Sequence, residues 1–132
     1  MIIRTLTDDD PPILKALSDT MPELASDRVS IHWMFSTFFA NTSFVAEAGD
    51  AIAGFLYGFV DQVRTDEAFV YALGVTEGYR GQGRGRRLLE RFEHAVAERG
   101  CSTVVLNTLP DNVRAQAFYR RIGFDEPERF MK

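Results

Sequence analysis

The run YRGQGRGRRLLERF, Tyr79 to Phe92, sets Gly81, Gly83 and Gly85 at every second position among Arg80, Arg84, Arg86 and Arg87. Glycine permits backbone conformations and close approaches that a Cβ forbids. Arginine supplies planar, permanently charged donors suited to phosphate oxygens. Behind them Leu88, Leu89, Phe92, Ala95 and Val96 form one helical stripe. Such a loop delivers main-chain N–H groups and cations to an anion at a helix amino terminus. A second stretch, NVRAQAFYRRIGF, runs from Asn112 to Phe124. At helical pitch Asn112 and Tyr119 share one face, roughly 10 Å apart along the axis, with Ala115 near the same line. A polar, small and phenolic stripe leaves room for a long thin ligand, whereas Phe118 and Ile122 suit the core. The bland alternatives are a solvated charge cluster, Asn112 as a helix cap and Tyr119 as a half-buried tyrosine.

Several chemistries fail on spacing. A Walker loop ends in Gly-Lys-Ser/Thr, yet Gly85 is followed by Arg86 and Arg87. A dinucleotide fingerprint needs Gly-x-Gly-x-x-Gly and an acidic residue ending the next strand, which here ends in Asn107 and Thr108. A loop that merely caps a helix does not explain why arginine alternates with glycine. The remaining reading is the diphosphate of an acyl carrier.

The elements that must position these residues follow from periodicity. IIRTL reads as an opening strand. DDDPPILKALSDTM reads as a helix with acidic caps, prolines in its first turn, Ile13, Leu14 and Leu17 at helical spacing, and a stop at Pro22. SDRVSIHWMFSTFFAN reads as a second helix from a Ser26 or Asp27 cap to about Asn41. The period then changes: TSFVAEA, a GD turn and AIAGFLYGFV make a hairpin, and AFVYALGV extends it to a meander. After the Gly/Arg loop come a helix closed by Gly100, the strand STVVLNT, a helix ended by Gly123 and a short extended end from Phe124. The strand–helix–strand order from Ala68 to Thr108 is a parallel βαβ unit, so the expected fold is α/β (α+β) with a mixed, mostly antiparallel sheet. No repeat or linker divides it, and residues 1–132 read as a single domain.

At this point a family resemblance emerges. RGQGRG, Arg80 to Gly85, resembles the Arg/Gln-x-x-Gly-x-Gly/Ala signature of the GCN5-related N-acetyltransferases, the GNAT superfamily. NVRAQAFYRRIGF is similar to that family's Asn-x-x-Ala-x-x-Phe-Tyr-x-x-x-Gly-Phe element. The resemblance covers roughly Thr42 to Phe124. It implies a GNAT-like sheet splayed between its fourth and fifth strands, with acetyl-CoA as cosubstrate entering the gap. It implies that Arg80, Gly81, Gln82, Gly83, Arg84 and Gly85 grip the pyrophosphate, and that Leu73 and Val75 offer main-chain groups to the pantetheine. Asn107, Asn112, Ala115 and Tyr119 complete the implied coenzyme site. The implied activity is N-acetylation of a primary amine, with a non-catalytic acyl-CoA-binding module as alternative.

Within that reading Tyr119 is the candidate acid at the leaving sulfur. Glu67 resembles the glutamate of the histone-acetyltransferase branch and is the candidate base. Asp66 and Glu77 are its rivals, and a solvated loop end is its bland alternative. Strict alternation places Glu67 on one face with Phe69, Tyr71 and Leu73. Acceptor specificity is expected from the first two helices and the loop DQVRTDE, through Trp33, Phe35, Phe38, Phe39, Asp61, Asp66 and Glu67. Their carboxylates hint at a cationic amine. FFANTSFVAE through AFVYALGV is similar to the diaminobutyrate acetyltransferase branch, so a small amine or amino acid ranks before a protein lysine or N-terminal amine. Only DEPERFMK follows Phe124, where the resembled family has a substantial hairpin, so part of that wall is expected to be absent or supplied by a partner subunit in a homodimer.

Bulk properties set the remaining bounds. A net charge of −4 disfavours nucleic acid as partner. No apolar run reaches bilayer length, the amino terminus lacks a secretory signature, and Cys101 is the lone cysteine, so a cytoplasmic location is expected. His32 and His94 lack ligand spacing, and no metal site is expected. His32 reads as a helix-face residue, His94 as surface, and Cys101 as packing.

Overall fold

The computed structural model describes residues 1–21, 29–108, 111–124 and 129–131. The alternating segments pair into a six-stranded sheet laid out in chain order: β1 (Ile2–Thr5), β2 (Phe44–Ala48), β3 (Ala51–Val60), β4 (Glu67–Val75), β5 (Thr103–Asn107) and β6 (Arg129–Met131). β4 and β5 run parallel, and each other neighbouring pair is antiparallel. The helices are α1 (Pro11–Ser18), α2 (Val29–Thr37), α3 (Arg84–Ala97) and α4 (Val113–Arg121). The mixed sheet and its βαβ crossover through α3 are as the sequence pattern requires.

Each sheet face has its own core. On one, Phe44, Leu56, Val70 and Leu106 meet Leu88, Leu89 and Phe92 of α3 and Tyr119 of α4. On the other, Val45, Phe55 and Tyr57 meet Leu14 of α1 and Phe35 of α2. The helix α3 lies directly on β3 because two glycines clear its path. A Cβ on Gly58 would run into the Phe92 ring, with Cζ at 2.8 Å, and a Cβ on Gly54 would stand 3.3 Å from Leu88 Cδ1 of α3 as well as 2.8 Å from the Gly74 carbonyl of β4.

Element ends differ in detail from the sequence pattern. Pro11 begins α1 as expected, but the helix stops at Ser18, and Pro22 lies outside the described residues. Asp10 holds the cap position without capping the helix. Its carboxylate instead takes both Arg4 terminal nitrogens at 2.8 Å and the Thr7 N–H at 2.7 Å. Burial pushes this carboxyl up, and those hydrogen bonds outweigh it, leaving it below its ordinary value. The Ser26 and Asp27 cap expected for α2 also falls outside the described residues. That helix ends at Thr37 rather than Asn41, followed by a 3₁₀ turn over Ala40–Thr42. The early stop has a partner: Thr42 Oγ1 donates to the Gly58 carbonyl at 2.6 Å, and the Gly58 N–H donates to Ser43 Oγ at 3.2 Å.

Gly58→Ala is expected to destabilise the fold by about 1–3 kcal/mol, the cost of overpacking a filled interior. Urea unfolding midpoints of the two proteins check it.

Candidate active site

The pairing of β4 with β5 breaks halfway. Glu67, Ala68, Phe69 and Val70 register with Thr103, Val104, Val105 and Leu106, and the rest of β4 has no register with β5. The cause lies on the other side of β4. Its register with β3 jumps from Gly58↔Val70 to Tyr57↔Ala72, so Tyr71 opposes no residue. A bulge of this kind bends its strand and increases the local twist. It also corrects the expected face assignment. Tyr71 lies against Phe35, with ring centroids 5.1 Å apart, but Ala72 then joins the Phe35 side while Leu73 packs on the opposite, α3-covered side.

The opening is bordered by main chain. Thr76 donates its N–H to the Ala53 carbonyl at 2.8 Å, so Ala72 and Gly74 direct their amide groups to β3. By alternation Leu73 and Val75 direct theirs to the side that β5 has left. The Val75 carbonyl accepts from Arg80 Nε at 3.0 Å. Asn107, exposed at the end of β5 and one residue beyond the last pair with β4, is on the opposite edge.

A 3₁₀ turn over Glu77–Tyr79 leads into the Gly/Arg loop. Its glycines are there for two different reasons. Gly81 and Gly83 have φ of 77° and 78°, a left-handed conformation that a Cβ disfavours. Gly85 has no such φ, and a Cβ there would sit 3.4 Å from Phe118 Cζ and 3.7 Å from Val75 Cγ2. The start of α3 is therefore wedged between β4 and α4. Gly83 caps α3 without a side chain, and the first intrahelical bond is Arg87 N–H to the Gly83 carbonyl at 3.0 Å. The N–H groups of Arg84, Gly85 and Arg86 precede that bond at the positive end of the helix dipole.

The arginines do not act alike. Arg84 lies over the Tyr79 ring, 4.9 Å from its centroid, and donates to Gln82 Oε1, while its buried Nε has no hydrogen-bond partner. Arg80 is tied back to β4, and Arg86 pairs with Glu90 at 3.3 Å. Arg87 is exposed.

On α4, Asn112 is the cap, its Oδ1 accepting from the Ala115 N–H at 3.2 Å. That is the bland alternative for this residue, and it leaves the amide NH₂ at the helix mouth. Ala115, Phe118 and Ile122 are partly buried against the α3-side core. Tyr119 is more enclosed than half-buried: 8% exposed, with the rings of Phe118 and Phe124 at 5.3 and 5.7 Å. Burial pushes its phenol up to about 12.

The carboxylates fall elsewhere. Glu67 opens β4, eight residues from Val75, or roughly 26 Å at strand rise. Its Oε2 lies 3.9 Å from Arg64 Nε and is buried without a hydrogen bond. The structure thus sets Glu67 at the opposite end of the strand from the Gly/Arg loop. Asp66 is exposed there too, its carbonyl accepting from Ser102 and Thr103. Asp61 Oδ1 accepts from the N–H groups of Val63 and Arg64, both at 2.8 Å, which makes it a cap for its own turn. Glu77 is exposed just before the loop.

His94 is a surface residue 2.6 Å from Glu98. Cys101 packs partly against the core, and burial raises its thiol. Among the described residues no group of three or more His, Cys, Asp or Glu could hold a metal, and no helix is long and apolar enough to cross a membrane. His32 is not a mere helix-face residue. It is buried, between Ser18 Oγ at 3.2 Å and the Tyr57 hydroxyl at 2.6 Å. The sequence carries one signal for it: a histidine three residues before Phe35 and seven before Phe39, in helical register with both in an aromatic run.

Comparison with known proteins agrees with this fold. The model of the acetyltransferase (GNAT) family matches residues 7–124. The chain belongs to that family. It is 29% identical over 90 residues to an L-2,4-diaminobutyric acid acetyltransferase of Shouchella clausii, covering 68% of this chain and 51% of that protein. It is 33% identical over 94 residues to the enzyme of that name from Marinococcus halophilus, covering 68% and 52%. The match thus spans about half the length of these curated relatives. A diaminobutyrate acetyltransferase of Paenibacillus lautus, solved with L-2,4-diaminobutyric acid and coenzyme A, superposes with a TM-score of 0.84 at 15% identity. That match covers 98% of this chain and 91% of the other, and it shows the shared fold.

Gly83→Ala is expected to cost about 1–2 kcal/mol through its left-handed φ alone, since nothing lies within 4 Å of the added carbon. Denaturant unfolding reads that loss directly.

Proposed function

We propose that this chain transfers the acetyl group of acetyl-CoA to a primary amine, and that the acceptor is a small amine or amino acid. The observation that carries the reading is the opening between β4 and β5, bordered by Leu73 and Val75 main chain and headed by uncapped N–H groups at the start of α3. Pantetheine is a thin chain with amide groups. In the opening it adds to β4 as a short strand would, its amides pairing with Leu73 and Val75. Its diphosphate meets the N–H groups of residues 82–86, with Arg80 and Arg87 as nearby cations. The names of the two curated relatives support a small acceptor.

The amine arrives as an ammonium ion and must lose a proton before it attacks the thioester carbonyl. The Glu67 carboxylate lies beside Arg64 at the head of β4, and in this reading the proton leaves through water. Attack forms the N–C bond and places a negative charge on oxygen, where the main-chain N–H groups of the diverging half of β4 are the available donors. Collapse breaks the C–S bond and releases thiolate, and the nitrogen gives up its second proton to water. Ordinary thiols titrate near 8.5, so a phenol at about 12 is the weaker acid. Tyr119 therefore serves the sulfur as a hydrogen-bond donor, and the thiolate takes its proton from solvent.

A free-thiol release assay over diamines, amino acids and lysine peptides tests the activity. Acetyl-CoA binding without thiol release on any amine would leave a binding module instead. Tyr119→Phe is expected to lower kcat by about 10- to 100-fold, the loss of one hydrogen bond to a developing thiolate, with the KM for acetyl-CoA little changed. With water as proton acceptor, kcat/KM for the amine should rise about tenfold per pH unit up to the amine's own value, about 10.4 for an alkylamine. Glu67→Gln should leave that profile in place. A break near neutrality that vanishes in Glu67→Gln would restore Glu67 as the base.

A further inference from the structure

This inference rests on the acetyl-transfer reading and concerns the residue that meets the acceptor. Val70↔Leu106 is the last pair joining β4 to β5, and Tyr71 comes next, at the mouth of the opening. On one face of the sheet α4 covers this region with Tyr119, Phe118 and Ile122. An amine approaching a thioester between the strands has to come from the other face, and that is where Tyr71 projects. It remains 47% exposed while its ring rests on Phe35 of α2.

The ring is held from beneath by a buried chain of contacts. Phe35 stacks on Tyr57 with centroids 4.6 Å apart and planes 5° from parallel. Ser18 Oγ donates to the Lys15 carbonyl at 3.1 Å, so it accepts from His32 Nε2. His32 Nδ1 is then the acceptor for the Tyr57 hydroxyl. Burial keeps both partners neutral, lowering the histidine and raising the phenol. Side chains of α1, α2 and β3 thereby fix Phe35, and Phe35 backs Tyr71. Among the carboxylates that precede Tyr71, Asp61 caps its own turn and Glu67, four residues before it, lies beside Arg64.

We propose that Tyr71 is the specificity-determining residue of this site, its π face holding an aliphatic primary ammonium by the charge and the adjoining methylenes. Phe35, Tyr57 and His32 are positioning residues. A neutral ring attracts a cation through its quadrupole, so the contact survives loss of the hydroxyl and responds weakly to salt.

The test is steady-state thiol release by the full chain, with 1,4-diaminobutane, L-2,4-diaminobutyrate and lysine as probes. Tyr71→Phe should keep the acceptor KM within about twofold, while Tyr71→Leu and the similarly sized, polar Tyr71→Gln should raise it about tenfold. In all three the KM for acetyl-CoA should hold. Tyr57→Phe, which keeps the stack and removes the bond to His32, should raise the acceptor KM with acetyl-CoA KM and kcat steady. An unchanged acceptor KM in Tyr71→Leu or Tyr71→Gln, or a rise in both KM values together, would overturn the proposal. So would an acceptor KM that climbs steeply with salt, the mark of a carboxylate pocket. An active wild type with indifferent Tyr71 variants removes this inference alone. A wild type that releases no thiol with any amine removes the acetyl-transfer reading and this inference with it.

Discussion

The structure depends on hydrogen bonds that β4 and β5 do not make. Two parallel strands in register would normally continue pairing, because an unmet main-chain group shut away from water costs about 1–3 kcal/mol. Here pairing stops after Val70 and Leu106, and five residues of β4 go on without β5. Such an edge is stable only if water or a ligand meets it. The bulge at Tyr71 enforces the divergence from the β3 side, where β4 stays paired through Val75. The gap is thus a product of strand geometry rather than of missing side chains.

What surrounds the gap follows from the same constraint. The bulge reverses which β4 residues face which core, sending Leu73 toward α3 and Tyr71 toward α2. One half of a single strand thereby presents main chain to the opening and an aromatic ring to its mouth. Gly54 and Gly58 let α3 settle on β3, and Gly85 lets its first turn fit beside Val75 and Phe118. That settled position sets the uncapped end of α3 beside Val75, at the end of β4. A bulky residue at any of these glycines displaces the helix from the strand whose groups it has to complement.

Much of this was legible in the residues, for physical reasons that can be named. The βαβ unit followed from strong, opposed periodicities on either side of the loop, which also set that loop between β4 and the start of α3. The unequal roles of the glycines were not legible, because spacing alone does not separate a left-handed φ at Gly83 from a packing need at Gly85. Leu73 was assigned to the wrong face because a bulge adds one residue without a mark in the sequence. Asn112 carries the same residue type whether it caps a helix or binds a ligand, and its Oδ1 caps α4. Glu67 was placed by counting back from the loop, which gives distance along the strand but not that its carboxylate lies beside Arg64. His32 was passed over because its partners, Ser18 and Tyr57, are distant in sequence.

The most direct test of the account is a crystal structure of the chain with coenzyme A. The account predicts diphosphate oxygens about 3 Å from the main-chain nitrogens of residues 82–86, pantetheine amides paired with Leu73 and Val75, and sulfur beside the Tyr119 hydroxyl. A coenzyme lodged elsewhere would contradict it, as would a β5 that stays paired to β4 past Leu106 and closes the gap.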